Sequence, residues 1–324
     1  MLKRNASTIF WGLLWYSLIV FFKDYYFNLF YYMISDSKDA DGNVVSLIVQ
    51  SAMLILGAVF FAWQINRKNR KKGLSTYDLL NTIGINSIGK YNGLMAVIIG
   101  IISYFSFNLL KSFVSLVSFY FGNDISIGYV DAPVDPSFFV FVVMMLGVWM
   151  PIGEEMIYRG MLFHMISRPK RAGILILFNC VVFSGAHQSA EQMIQAFFLG
   201  VVLCLLVRRM NGITMGLIVH VSFNVLGLVM TYFCPLFVFK AFGVEEQMSS
   251  NQLLLSASCM LFFSIFFMTL LILLISRLKP FDQVPDNDGS QIVNKSYQIP
   301  AILMIIVVGS YSILKIVRTF GHFI

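Results

Sequence analysis

Long apolar runs separated by short polar connections dominate the chain. A membrane-spanning helix needs about 20 mostly apolar residues, and runs of that kind recur from one end of the sequence to the other. The pattern predicts an all-α fold, a polytopic transmembrane helical bundle of about eight to nine spanning helices. The runs lie near residues 8–30, 46–66, 93–121, 137–167, 172–190, 192–209, 213–236, 252–276 and 299–318.

Basic residues are concentrated in every second connection between these runs, and acidic residues dominate most of the others. Since connections rich in Lys and Arg stay on the cytoplasmic side, the alternation predicts a cytoplasmic N-terminus. Short loops and the lack of an organelle-targeting pattern lead us to expect a multi-pass protein of a bacterial plasma membrane. The basic connections lie near residues 3–4, 67–72, 168–171, 208–209 and 277–279, and the acidic ones near 36–41, 124–135 and 245–246.

Composition supports a lipid environment. Of the 324 residues, 58% are hydrophobic and 12% are charged, whereas a soluble domain has roughly 25% charged residues. The net charge of +7 resides in short loops beside apolar runs, so we expect membrane lipid as a partner and no nucleic acid. The four cysteines lack C-x-x-C spacing, which indicates neither a disulfide framework nor a thiolate zinc site.

Three regions follow from the distribution of polar residues. Residues 1–136 form N-terminal transmembrane helices with a basic loop, and residues 137–235 form a helical core that carries the intramembrane polar groups. Residues 236–324 form C-terminal transmembrane helices joined through a polar linker at 278–298. We therefore expect the chemistry in the middle region.

The fourth apolar run contains two adjacent carboxylates, Glu154 and Glu155, and the guanidinium of Arg159. A charged group at bilayer depth costs about 2.5 to 3.5 kcal/mol on insertion scales, so such residues are functional candidates. Glu155 and Arg159 are spaced i,i+4 and can pair on one helical face. Glu154 points about 100 degrees away from that face.

Three further polar residues, His187, His220 and Asn224, follow on later apolar runs. Counted at 1.5 Å per residue from the nearest basic loop, Glu154, His187 and Asn224 lie at similar depths of about 22 to 24 Å. His220 lies one turn nearer the loop and on the same helical face as Asn224. Separate helices therefore bring polar groups to a common level of the bilayer.

The motifs E-E-x-x-x-R, F-x-x-x-H and H-x-x-x-N, in that order on successive helices, resemble those of the CAAX-protease and bacteriocin-processing (CPBP) family. That family includes the type II CAAX prenyl endopeptidases and many bacterial Abi proteins. The resemblance covers roughly residues 137–235, including Pro151. It implies an intramembrane endopeptidase acting on a membrane-associated or lipidated peptide or protein, with prenyl-protein cleavage, bacteriocin processing and immunity all represented in the family.

By this resemblance, Glu154 and His187 activate a water molecule for attack on a peptide carbonyl, and His220 and Asn224 hold the developing oxyanion. Such donors act most strongly where bulk water is excluded. Glu155 and Arg159 are supporting residues, Arg159 holding Glu155 ionised. This mechanism requires no cofactor.

A zinc-dependent mechanism is the alternative for the same residues. Glu154, His187 and His220 would make an open three-ligand zinc site with a bound water, as in metallopeptidases. Because the chain has no H-E-x-x-H motif and Asn224 is a poor zinc ligand, we favour the metal-independent glutamate mechanism.

Two further alternatives concern the protein class. A secondary transporter or proton-coupled channel would also place Glu and His residues at the bilayer midplane. No fixed-period repeat is apparent, however, and Pro151 is the only clear break in the polar region, whereas transporters show paired broken helices. A catalytically silent family member, acting as a scaffold or immunity factor, is the other alternative, and the intact motifs favour activity over it.

Overall fold

A computed structural model describes residues 41–71, 80, 83–120, 136–164, 172–187, 190–233 and 250–278. Across these residues the chain is helical and has no strand, which confirms the predicted all-α class. Seven helices can be followed in this part of the chain. They are α1 (Asp41–Lys71), α2 (Lys90–Tyr120), α3 (136–164), α4 (Ala172–Gly185), α5 (Ala190–Met210), α6 (Thr214–Phe233) and α7 (Ser250–Arg277).

Five of these helices are long and apolar enough to cross a membrane, so a multi-pass membrane protein is confirmed. The spans are Lys90–Val114, Pro136–Met161, Gln192–Met210, Thr214–Phe233 and Leu254–Arg277. Shorter apolar stretches occur in α1, at Ser51–Gln64, and in α4, at Gly173–Gly185. The predicted runs at 8–30 and 299–318 and most of the linker at 278–298 lie outside the described residues, so the count of eight to nine remains a prediction.

Helices α3, α4, α5 and α6 pack together in the middle of the bundle. Helix α6 contacts both α3 and α5, helix α4 contacts α3 and α5, and α1 covers another side of α3. Helix α2 packs against α6 on one side and α7 on the other. Apolar side chains of α7 such as Leu255, Phe262 and Phe266 are more than half exposed, which suits a surface that faces lipid.

Helix α3 is a composite of two helix types. It consists of α-helical Pro136–Val142, π-helical Val143–Trp149, α-helical Met150–Glu154 and π-helical Glu155–His164. The hydrophobic pattern predicted a single regular run and did not indicate the change from α-helical to π-helical hydrogen bonding. Proline contributes to it, because Pro151 lacks an N–H and its ring crowds the carbonyl four residues earlier. π-helical segments are frequent at functional sites.

Two glycines allow neighbouring helices to approach α3 closely. A Cβ at Gly153 would lie 2.5 Å from Cβ of Leu54 on α1, and one at Gly147 would lie 2.9 Å from Cγ2 of Val225 on α6. Small residues at such contacts are typical of helix packing in membranes, where close van der Waals contact replaces the hydrophobic driving force. The helix that carries the two glutamates is therefore fixed from two sides.

The segment before α2 fixes the start of α6. The N–H of Asn86 donates to Oγ1 of Thr214 (2.9 Å), and this hydroxyl donates to the carbonyl of Asn86 (2.6 Å). Ile213 N–H donates to the carbonyl of Gly84 (2.8 Å). Gly212 has no side chain where Asn86 packs, and a Cβ there would overlap the amide. These contacts set the position of the helix that carries His220 and Asn224.

We predict that Thr214→Val lowers the free energy of unfolding by about 1 to 3 kcal/mol, because it removes two hydrogen bonds and leaves partly buried backbone groups unpaired. Equilibrium unfolding of the purified protein in mixed micelles with increasing SDS measures this change. Thr269→Val is the matched control, since the exposed hydroxyl of Thr269 bonds the carbonyl of Ile265 in its own helix. Equal losses in both variants would contradict the proposed clamp.

Candidate active site

A buried network of three polar side chains connects α3 to α6. Oε1 of Glu155 lies 2.9 Å from Nη1 of Arg159 and 2.9 Å from Nδ1 of His220. Glu155 and Arg159 are fully buried, and His220 is 2% exposed. The predicted pairing of Glu155 with Arg159 is confirmed. A buried charge needs such partners, because removing one partner leaves the other uncompensated in a low-dielectric interior.

Glu154 lies on the other side of the same imidazole. Its Oε2 is 3.7 Å from Nε2 of His220, and its side chain is 15% exposed. The ring of His220 therefore lies between the side chains of the two adjacent glutamates, with Nδ1 next to Glu155 and Nε2 next to Glu154. Of the two, only Glu154 retains access from outside the buried network.

Phe183 on α4 packs against several members of the site. Its ring centroid is 3.9 Å from the guanidinium carbon of Arg159, 5.0 Å from the ring of His187 and 5.7 Å from the ring of His220. The contact with Arg159 is a cation–π interaction, worth about 2 kcal/mol or more when desolvated. Phe183 is fully buried and so gives both imidazoles a common, rigid surface.

His187 is the second residue after the end of α4. Its Nδ1 lies 3.0 Å from the carbonyl of Phe183, one of the last carbonyls of the helix. A hydrogen bond to a carbonyl oxygen requires the proton on Nδ1, which leaves Nε2 as the other functional atom of the ring. The side chain is half-buried, in contrast to the enclosed ring of His220.

Asn224 lies one turn after His220 and contacts α3 through a backbone carbonyl. Its Nδ2 donates to the carbonyl of Leu146 (3.1 Å). Around this point α3 is π-helical, with the N–H of Met150 donating to the carbonyl of Met145 five residues earlier. In that register the carbonyl of Leu146 would pair with residue 151, which is a proline and has no N–H. Asn224 thus satisfies a carbonyl that Pro151 leaves without its helical donor.

Comparison with known proteins gives one family match. Residues 136–226 match the family described as type II CAAX prenyl endopeptidase Rce1-like. This segment is similar to the Rce1-like family. The match spans less than a third of the chain, and no curated protein and no solved structure gives a significant match.

The Rce1-like segment contains α3, α4, α5 and most of α6, and with them all six residues singled out from the sequence. The predicted resemblance to the CPBP family is confirmed, and the family implies a CAAX-type intramembrane protease. The match supports neither the transporter alternative nor a role in bacteriocin processing or immunity. Apolar helices together with this family fit a lipid environment and a peptide substrate.

Sequence reasoning missed several residues that support the Rce1-like core. Asn179 on α4 donates to the carbonyl of Tyr158 on α3 (2.7 Å), and Sγ of Cys204 on α5 donates to Oδ1 of Asn179 (3.3 Å). A fully buried amide in an apolar helix is costly without partners, so Asn179 could have been recognised from that rule. The contact between Arg159 and Phe183 could not be predicted from the sequence, because it depends on the packing of α3 against α4.

The zinc alternative requires that Glu154, His187 and His220 bind one metal ion together. Among the residues that the structure describes, no group of three or more His, Cys, Asp or Glu side chains is arranged to hold a metal ion. Nδ1 of His220 is already bonded to Glu155, which would leave Nε2 as its only candidate metal ligand. A zinc-binding His commonly donates its other ring N–H to a carboxylate, so the bond to Glu155 is compatible with either mechanism.

We predict that Asn224→Leu lowers the free energy of unfolding by about 1 to 3 kcal/mol, because the carbonyl of Leu146 loses its donor. In a Pro151→Ala background residue 151 regains an N–H, so the same substitution should cost less than about 1 kcal/mol. Unfolding in SDS mixed micelles measures both costs. Asn108→Leu is the control, since that amide donates to Tyr104 within its own helix. Identical costs of Asn224→Leu in the two backgrounds would disprove the pairing.

Proposed function

We propose that this protein is an intramembrane endopeptidase that hydrolyses a peptide bond in a membrane-associated or lipidated peptide or protein. The observation that carries the proposal is the placement of Glu154. It is the partly exposed carboxylate of an otherwise enclosed cluster, 15% accessible, while Glu155 and Arg159 beside it are at 0%. A base must reach the substrate, whereas groups that hold it in place need not.

Glu154 and His187 are the proposed activators of the hydrolytic water. A water between them gives one proton to Glu154 or to Nε2 of His187 as its oxygen attacks the peptide carbonyl carbon. The carbonyl π bond breaks and forms a tetrahedral oxyanion. The C–N bond then breaks and the abstracted proton passes to the departing amine, so that water is consumed and two peptide ends form.

His220 and Asn224 are the proposed donors to the oxyanion. They are one turn apart on α6 and both face α3, because His220 contacts the two glutamates and Asn224 contacts Leu146. An Asn amide nitrogen has two hydrogens, so Nδ2 of Asn224 can bond Leu146 with one and a substrate oxygen with the other. A loss of one such donor typically costs about 100- to 1,000-fold in kcat.

The mechanism proposed here uses no metal, since the carboxylate of Glu154, two imidazoles and the amide of Asn224 already provide the base and the oxyanion donors. The family name suggests a prenylated C-terminal peptide as substrate. A prenyl chain partitions into the bilayer and would bring the scissile bond to a site at membrane depth. Zinc that is stoichiometric in the chelator-treated protein and that varies with activity would contradict the metal-free mechanism.

We predict that Glu154→Gln and His187→Ala each abolish cleavage of a prenylated CAAX peptide by the purified protein in liposomes. Each substitution removes a proton acceptor, whereas the hydrogen bonds of Glu155 with Arg159 and His220 can still form. The release of the C-terminal tripeptide, followed by mass spectrometry, measures the activity.

The control is Ser184→Ala, next to the same motif, because the hydroxyl of Ser184 bonds the carbonyl of Val181 in its own helix. This variant should cleave at the wild-type rate. Unfolding in SDS mixed micelles checks that all variants are folded. Wild-type turnover by a folded Glu154→Gln or His187→Ala protein would remove the basis for the proposed roles.

A further inference from the structure

Helix α2 lies directly against the backbone of α6 at Gly100. A Cβ on this residue would be 2.7 Å from Cβ of Ser222 and 2.7 Å from the carbonyl oxygen of Val219, whereas ordinary van der Waals contact begins at 3.4 Å. Gly100 is buried, and the atoms that face it belong to the backbone or to the first position of a side chain. Such atoms cannot turn aside, so a side chain at residue 100 would have to displace α6 itself.

This contact lies behind the two proposed oxyanion donors. Ser222 is two residues after His220 and two residues before Asn224, and a step of two residues turns a helix by about 200 degrees. Ser222 therefore faces α2, while His220 and Asn224 face α3 on the opposite side of α6. A displacement of α6 away from α2 would carry both donors toward α3.

The α3 side has no room for such a displacement. His220 and Asn224 already make hydrogen bonds of 2.9 and 3.1 Å to α3, which are ordinary lengths that cannot shorten much further. A Cβ at Gly147 of α3 would lie 2.9 Å from Cγ2 of Val225 on α6, so the two helices are also in close contact there. Because α6 is held from both sides, pressure at Gly100 would turn the two donors away from their present directions.

Two other glycines give milder versions of the same contact. A Cβ at Gly227 of α6 would lie 3.3 Å from Cε2 of Tyr104 on α2, a tight contact with the far end of a side chain. The ring of Tyr104 is itself packed edge to face against Phe223 of α6, at 5.8 Å between centroids. At Gly93, two turns before Gly100 on α2, a Cβ would have nothing within 4 Å. The three glycines thus form a series from open space to overlap.

We propose that Gly100 is a positioning residue that sets the distance of α6 from α3 and thereby directs His220 and Asn224 at the oxyanion. The inference rests on the proposed peptidase function. It extends the catalytic unit to α2, which lies outside the segment 136–226 that is similar to the Rce1-like family. Gly100 itself touches no substrate and acts through the backbone of α6.

Alanine at each of the three glycines tests this role. We expect Gly100→Ala to lower kcat for cleavage of the prenylated CAAX peptide by about 10- to 100-fold, because a misplacement of about 1 Å in the reacting geometry costs about 100-fold. KM should stay within about threefold of wild type, since no substrate contact is removed. Gly227→Ala should lower kcat by about threefold, and Gly93→Ala should cleave at the wild-type rate.

Unfolding in SDS mixed micelles checks that the three variants are folded. Wild-type kcat in a folded Gly100→Ala protein overturns the proposal, and so does an equal loss in Gly93→Ala, because that alanine meets no neighbour. If Gly100→Ala does not fold, the other two variants decide. A loss confined to Gly227→Ala then supports the proposal, and equal kcat values in Gly227→Ala and Gly93→Ala overturn it.

A second readout does not depend on cleavage. In protein with ¹³C-labelled histidine rings, the NMR signal of His220, assigned by its loss in His220→Gln, reports the surroundings of this donor. We expect the signal to shift in Gly100→Ala and to stay in place in Gly93→Ala. An unmoved signal in a folded Gly100→Ala protein rejects the positioning role even if the wild type is a peptidase. A shifted signal in a protein that cleaves no peptide supports the control of α6 by Gly100 and rejects the peptidase assignment.

Discussion

One carboxylate oxygen, Oε1 of Glu155, accepts hydrogen bonds from two helices and thereby fixes the relative placement of the whole site. Arg159 on its own helix and His220 on α6 both lie 2.9 Å from it, and none of the three side chains is more than 2% exposed. Because an isolated charge is so costly at this depth, the three groups stabilise one another only in this arrangement. The contact contributes to the register of α3 against α6, together with the packing of Gly147 against Val225, and Glu154 lies near the same imidazole.

Packing makes room for this network. A Cβ at Gly200 of α5 would lie 3.3 Å from Nη2 of Arg159, closer than nearly all such contacts in proteins. At Gly160 of α3 a Cβ would overlap the backbone carbonyl of Ile83. Small residues therefore let neighbouring backbone enclose the buried charges, while the ring of Phe183 closes the remaining face of Arg159. The buried charges of Arg159 and Glu155 therefore require close helix packing around them.

Much of the fold could be predicted from the sequence, because spanning helices in lipid follow directly from run length. The bounds of α5 and α6 agree with the predicted runs within about three residues, and the pairing of Glu155 with Arg159 follows from i,i+4 spacing. The contact of His220 with both glutamates could not be obtained that way, because it depends on the rotation of α6 against α3. The π-helical stretches were also missed, since a change of helical register alters hydrogen bonding without altering hydropathy.

The link between Glu155 and His220 is the claim on which this account depends, and a double-mutant cycle tests it most directly. Glu155→Ala, His220→Ala and the double variant, whose side chains cannot make the bond, are unfolded in SDS mixed micelles, and the coupling free energy is taken from the three losses of stability. We predict a coupling of about 1.5 to 3 kcal/mol, the contribution of a hydrogen bond to a charged group. A coupling within about 0.5 kcal/mol of zero would mean that the two residues act independently and would contradict the shared carboxylate as the organising contact of the site.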